Sequence, residues 1–209
     1  MLGRETMASD GTALSGPEHI VQAAIRVLAR QGYARTSLLD IAREASLSKG
    51  ALHYHFPSKE SLIADVLQTA CDAVAKRTLK LWQPSDNPLH SLRSALEELW
   101  RSRAARSDEA LVVADLLAQS LYDSRLQPKL AEYYALAASQ VQEHVMQHVL
   151  DIGLKPKVPV TVLSRLLIGL LDGLVMQVFV DPDVLSSDEV IDAVEVLAVS
   201  IFEFDPDAG

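Results

Sequence analysis

Apolar residues recur at helical spacing along nearly the whole chain. From Pro17, a favourable first-turn residue, Ile20, Ala24, Val27 and Leu28 form one stripe that ends before Gly32. Leu38, Ile41, Ala42 and Ala45 then fall at i, i+3, i+4 and i+7, which predicts a short second helix. Ser37 caps it, and Asp40 three residues on completes a capping-box pattern. Ser46-Leu47-Ser48 breaks the periodicity and supplies a second cap, so Lys49 to His55 predicts a third helix, stopped by Phe56-Pro57. A fourth begins at Ser58 and runs to about Leu81. Leu62, Ile63, Val66, Leu67, Ala70, Cys71 and Val74 line its inner face, and Lys76, Arg77 and Lys80 sit at its C-terminal end, where the helix dipole favours cations.

Pro84 to Pro88 predicts a loop and a domain boundary. Beyond it come Leu89–Arg106 and Glu109–Tyr122, separated by Ser107-Asp108. A long helix runs from Pro128 to about Ile152, closed by Gly153, and another from Pro159 to Asp181-Pro182. Ser186 with Glu189 forms a further capping box for a last helix reaching about Phe204. There is no strand pattern and no internal repeat. The fold class expected is all-α, with about nine helices. The expected organisation is a flexible arm over 1–16, a helix-turn-helix domain over 17–60 and a helical body over 61–209, of which 61–81 is the connecting helix.

Two short helices joined by a tight turn place the second in a DNA major groove. Here the second carries Lys49, His53, Tyr54 and His55, all able to reach phosphates or base edges. Thr36 and Ser37 can cap and also offer a hydroxyl or backbone N–H to a phosphate. Lys49 and Lys59, at the starts of the third and fourth helices, are phosphate anchors or solvated lysines; the surrounding motif favours contact. Gly50 costs roughly 1 kcal/mol inside a helix, which points to backbone approach to DNA or to mere tolerance. Tyr54 reaches a phosphate or a thymine methyl, or else packs on the first helix. Phe56 belongs to the core, and His55 fits either role.

Composition sharpens this picture. Formal net charge is −9, but residues 1–60 hold seven Lys or Arg against six Asp or Glu, net +1, while 61–209 hold twelve against twenty-two, net −10. The acid lies outside the proposed DNA-reading head, so the head dominates any contact with DNA. Cys71 is the one cysteine, which excludes an intrachain disulfide and fits a reducing cytoplasm. The opening residues MLGRETMASDGTALSG lack the apolar stretch of a signal peptide. Leu163 to Val180 approaches the roughly 17–25 residues of a membrane span. Arg165, Asp172 and Gln177 lie within it, so it is expected as a helix buried between subunits, with no membrane as a partner.

Residues 36–62, TSLLDIAREASLSKGALHYHFPSKESL, resemble the N-terminal domain of the tetracycline-repressor (TetR) family of bacterial one-component regulators. The matching positions are Thr36, Ser37, Ile41, Ala42, Ala45, Ser48, Lys49, Gly50, Leu52, His55, Phe56, Lys59, Glu60 and Leu62, and with the first helix the likeness covers roughly residues 17–65. One departure is His53, where the family usually has Tyr; Tyr54 follows directly. The resemblance implies double-stranded operator DNA as partner, read through Thr36, Ser37, Ser48, Lys49, Gly50, Ala51, His53, Tyr54, His55 and Lys59. It implies a small-molecule pocket in the body, for which Trp100, Leu117, Tyr122, Tyr134, His144 and Met176 are candidates, each also explicable as ordinary core. It implies a homodimer paired through the last two helices, with Leu163, Leu167, Leu170, Leu174, Val194, Leu197 and Ile201 at the interface. Asp172 in this apolar segment needs a partner, expected across that interface rather than at Arg165.

The function expected is a cytoplasmic repressor released from a palindromic operator by an apolar or amphipathic ligand, with half-sites about 34–36 Å apart or somewhat wider and the fourth helix as lever. A cationic-drug-responsive regulator of an efflux gene, or a DNA-binding dimer with no effector, are the alternatives. No nucleophile–base constellation is visible, so no enzyme is expected. His144 and His148 share a helix face at a spacing that can hold zinc, but Val145 stands where a hydrolytic motif needs Glu and no third ligand is evident; no metal or cofactor is expected.

Overall fold

The computed structural model describes residues 16–81, 88–146, 150 and 154–204. Among these, nine α-helices follow in order: α1 (Pro17–Gln31), α2 (Leu38–Glu44), α3 (Lys49–His55), α4 (Lys59–Leu81), α5 (Pro88–Ala104), α6 (Asp108–Ser120), α7 (Gln127–Gln140), α8 (Val160–Val180) and α9 (Ser187–Ile201). A π-helical turn, Val141–Met146, continues α7. Residues 1–15 of the expected arm, 84–87 of the expected loop, His148 and the expected helix end at Ile152-Gly153 lie outside the described residues, while Pro88 opens α5.

Local sequence explains the helix ends. Ser37 and Asp40 satisfy each other's backbone: the Ser37 hydroxyl oxygen accepts from Asp40 N–H at 3.2 Å, and Asp40 accepts from Ser37 N–H at 2.9 Å. Ser186 and Glu189 repeat that box ahead of α9, and Ser48 and Ser107 cap α3 and α6. At the end of α2, Leu47 N–H reaches Ala42 C=O and Ser46 N–H reaches Arg43 C=O. This is a Schellman closure, whose pivot normally prefers glycine. Here the pivot is Ser46, at φ 56°.

One expectation is corrected. Phe202–Phe204 form a short strand, β2, antiparallel to β1 (Leu154–Pro156), with Leu154 opposite Phe204 and Pro156 opposite Phe202. The last helix therefore stops at Ile201 rather than at Phe204. Three residues are too few to show a period of two, and the partner strand is distant in sequence, so the local pattern carried no sign of it.

The core is continuous from head to body. Helix α1 buries Ile20, Ala23, Ala24, Val27 and Leu28, packing on α2, on α4 and on α6. Ile41, Leu52, Phe56, Leu62 and Ile63 close the head around it. In the body, α4 lies against α5 and α7, α8 crosses α5 and α7, and α9 packs on α5. The α5–α9 contact carries an ion-pair cluster, Arg93 with Asp192 at 2.9 Å and Glu195 at 2.6 Å.

The left-handed pivot generates a prediction. An L-residue there costs about 1–2 kcal/mol, part of which glycine returns through its freer unfolded chain. Ser46→Gly is expected to raise unfolding stability by up to about 1 kcal/mol in urea titration, with unchanged denaturant slope. A neutral or destabilising result contradicts the strain assignment.

Candidate nucleic-acid interface and body cavity

Helix α3 is anchored by one buried side chain of its own, Leu52, and by Phe56 just after it. Lys49, Gly50, Ala51, His53, Tyr54 and His55 all face solvent, as does Ser48 before them. Tyr54 is 87% exposed, which removes packing on α1 as its role. Its ring meets His55 edge-on at 5.2 Å. At Gly50 a methyl would meet only the Ser48 hydroxyl, at 3.9 Å, so the protein itself does not require glycine there.

The rest of the head holds α3 in place. His19 donates to the Ala45 carbonyl at 3.0 Å, fixing α1 on the end of α2. Arg26 and Arg30 both bind Glu44, at 2.9 and 3.2 Å. The hydrogen bond from Arg26, then that from Arg30, hold the Glu44 carboxyl below its usual range. Ser37 is exposed, but Thr36 is 5% exposed and its hydroxyl donates to Gly32 C=O at 2.7 Å. That hydroxyl is therefore spent on the α1–α2 turn, a correction to the phosphate contact expected of it. Lys59 likewise turns inward: its ammonium donates to Tyr33 C=O and sits 3.6 Å over the Tyr33 ring. Burial lowers its pKa from the usual lysine value.

Two contacts absent from the sequence expectations join head to body. Asp115 on α6 accepts from Tyr33 N–H at 2.6 Å, and Arg125 after α6 pairs with Glu60 at 3.0 Å. Asp115 stands in the register Val112, Asp115, Leu116, which is the pattern position of a buried residue; that polar break was the available signal.

The body encloses a cavity of about 50 Å³ between α4, α5, α6, α7 and α8. Its wall includes Val74, Val113, Leu117, Val175 and Met176, with Arg103, Asp172 and Tyr133 as polar members. Of the sequence candidates, Leu117 and Met176 line it. Tyr134 reaches it indirectly, donating to Asp172 at 3.0 Å. Trp100 and Tyr122 are corrected. Trp100 is 2% exposed, with its indole N–H on Ser187 at 3.2 Å in the α5–α9 seam. Tyr122 is 90% exposed in the turn after α6. The side chain of His144 is outside the described residues. Asp172 also departs from expectation: its partner is Arg103 on α5 of the same chain. Burial pushes the Tyr133 phenol up to about 12 and raises Tyr134 as well, so both hydroxyls stay protonated.

Helix α8 is long and apolar enough to cross a membrane, with a mean hydropathy of 1.8. One face packs on α5 and α7 through Leu163, Ile168, Leu171 and Val175. The opposite face leaves Val162, Leu166 and Val180 exposed beside Gly169 and Gly173, and α9 exposes Val196 and Leu197. Leu163 and Val194 therefore point inward, a correction to their expected place at a partner, while Leu167, Leu170, Leu174 and Ile201 are half-buried. A helix apolar on nearly every side does not declare in sequence which side its own chain covers.

Comparison with known proteins agrees with this arrangement. Residues 20–66 match the family described as bacterial regulatory proteins, tetR family, and residues 88–203 match that described as BetI-type transcriptional repressor, C-terminal. The HTH-type transcriptional regulator LmrA of Bacillus subtilis is 31% identical over 62% of this chain and 71% of its own. An uncharacterized HTH-type transcriptional regulator of the same organism, YuxN, is 34% identical over 43% of this chain, a match spanning only 31% of YuxN. The crystal structure of a transcriptional regulator from Rhodococcus sp. Rha1 superposes with a TM-score of 0.68 at 22% identity, covering 90% of this chain and 96% of that one.

The head–body junction predicts a stability effect. Asp115→Ala leaves the N–H of buried Tyr33 without its acceptor, a loss of about 1–3 kcal/mol. Chemical denaturation should show that loss, and Tyr122→Ala, in the exposed turn after α6, should not. Equal effects from the two contradict a specific role for the Asp115 carboxylate.

Proposed function

The chain belongs to the TetR family of bacterial regulatory proteins, and from that premise we propose a homodimeric repressor that a small apolar or amphipathic effector releases from a near-palindromic operator. It is a DNA-binding transcriptional regulator and not an enzyme. The observation that carries the reading is α3: seven residues of which one, Leu52, is buried, on a head braced by capping and ion pairs. In the proposed complex α3 lies in the major groove. Lys49, Ser48 and the backbone at Gly50 and Ala51 meet phosphate, and His53, Tyr54 and His55 face phosphates or base edges. Ser37 lies exposed at the groove rim, where a phosphate competes with Asp40 for its hydroxyl, which donates to that carboxylate at 2.6 Å. The head spans 17–60 and the body 61–209, with the cytoplasm as the setting.

The uncovered apolar face of α8 and α9 supports the dimer. Paired α8–α9 hairpins bury Val162, Leu166, Val180, Val196 and Leu197 in a four-helix seam, and the exposed glycines let the helices approach closely. The cavity supports an effector. At about 50 Å³ it is well below the roughly 300–1,000 Å³ of pockets that take drug-sized ligands, so such a ligand spreads α6 from α8. Because α6 holds Tyr33 through Asp115, that movement reaches the head along a second route beside α4.

Fluorescence anisotropy on the upstream intergenic DNA, against a scrambled duplex and across salt, tests the reading. Lys49→Ala should weaken both duplexes alike and lower the salt slope by about 0.9 per lost phosphate contact. Tyr54→Ala should weaken the specific duplex by about 1–3 kcal/mol. Unchanged binding in both variants refutes α3 as the reading helix. For the dimer, Leu166→Glu should sediment as a monomer and bind the operator poorly; a dimer persisting in that variant refutes the α8–α9 seam.

A further inference from the structure

The chemistry of the cavity wall narrows the class of effector, on the premise that the cavity is the effector site. Arg103 is the one cation in the lining, with its side chain 12% exposed, among the polar members Glu109, Asp172, Tyr133, Ser102 and Ser107. It lies in the register Leu96, Trp100, Arg103 of α5, whose other members are core. Its terminal nitrogen pairs with Asp172, and Asp172 takes a second hydrogen bond from Tyr134 at 3.0 Å. The guanidinium is thus neutralised and fixed in orientation. Its Nε is fully buried and finds no acceptor among the described residues. A charged group's donor left unpaired in a low-dielectric site is costly, and because the Nε is covered in the closed structure, a ligand oxygen recovers that loss only as the ligand parts the helices around the cavity.

We infer that Arg103 Nε–H is the polar anchor of the site and that the effector is a neutral, mainly apolar molecule presenting one carbonyl-type oxygen to it. Charge balance excludes the other classes. Arg103 and Asp172 cancel, and Glu109 at the wall leaves the site net negative. A carboxylate ligand therefore meets Asp172 and Glu109 with no spare cation, since Arg103 is already paired. An amine is drawn by Glu109, but it finds Asp172 occupied by Arg103 and Tyr134 and, being protonated, carries no acceptor for the Arg103 Nε. A neutral acceptor disturbs neither, and the Val74, Val113, Leu117, Val175 and Met176 surfaces receive its hydrocarbon part.

The test uses the full-length protein and three probes of equal length: 2-octanone, octanoate and octylamine. Binding is followed by NMR titration, with the Arg Nε–Hε resonances observed directly. Expected are tightest binding for 2-octanone, a downfield shift of one Nε–Hε resonance that Arg103→Lys removes, and weakening by about tenfold or more in that variant. Lysine keeps the pair with Asp172, so the variant removes the Nε donor without unpairing the carboxylate. A cavity-filled Ala110→Trp variant should lose all three probes. Tighter binding of octanoate or octylamine, with Ala110→Trp blocking it, overturns the neutral class but leaves the cavity as an effector site. Equal ketone affinity in Arg103→Lys overturns the anchor. Absence of binding by every probe overturns the inference. The effector reading itself falls separately, if a broad compound library gives no operator release that Ala110→Trp abolishes.

Discussion

Helix α1 is buried on more than one side, and the geometry of the whole protein follows from that. Ile20, Ala23, Ala24, Val27 and Leu28 lie on a helix that packs on α2, on α4 and on α6 of the body. Removing α1 from either neighbour exposes a continuous apolar surface, so head and body share one core rather than meeting at a hinge. The C-terminal end of α1 is where the two halves are pinned most closely. Gly32 takes φ 77°, a left-handed value that glycine adopts without strain, and a Cβ there would stand 3.4 Å from the Asp115 carboxylate. Tyr33 then receives Asp115 on its N–H and Lys59 on its carbonyl and ring. One residue thereby gathers α1, α4 and α6.

This arrangement separates precision from adaptability. Helix α3 is short and donates almost nothing to the core, so its position is set by its neighbours: capping serines, the Ala45 carbonyl held by His19, and Glu44 held by two arginines. The body is built differently. Its cavity is small, its wall is mostly aliphatic with a methionine at 40% exposure, and its polar members are tied to one another. Flexible apolar side chains repack at modest cost, whereas the Arg103–Asp172–Tyr134 group holds one geometry. Charge follows the same division: the acidic excess lies in the body, so an anionic surface is repelled there more than at the head.

The helices were legible because their signals are local. Ser37 with Asp40, Ser186 with Glu189, and the prolines and glycines at segment ends act within one turn, and each predicted helix is present within a few residues of its expected limits where the structure describes them. The candidate DNA face was legible in part. The outward set from Ser48 to His55 follows from a single buried leucine in a short helix. Thr36 and Lys59 differ because their hydroxyl and ammonium find nearer acceptors in Gly32 and Tyr33. Arg103 and Asp115 each interrupt an apolar register, the same kind of signal that Asp172 gives, but the interruption does not name the group that answers it.

What the sequence determined by itself, then, is the succession of helices, the helix-turn-helix and its outward residues, and the uneven division of charge, since each depends on spacing within one segment or on composition. Tertiary structure alone decided which face of α8 is covered, so that Leu163 and Val194 turn inward and Val162, Leu166 and Val196 outward. It alone decided that Asp172 is answered by Arg103 from α5, that Trp100 belongs to a seam rather than to the cavity, and that Tyr33 joins head to body. Those outcomes are pairings between helices far apart in the chain. A nearly all-apolar helix or a solitary charge fits several partners equally well, and only packing selects one.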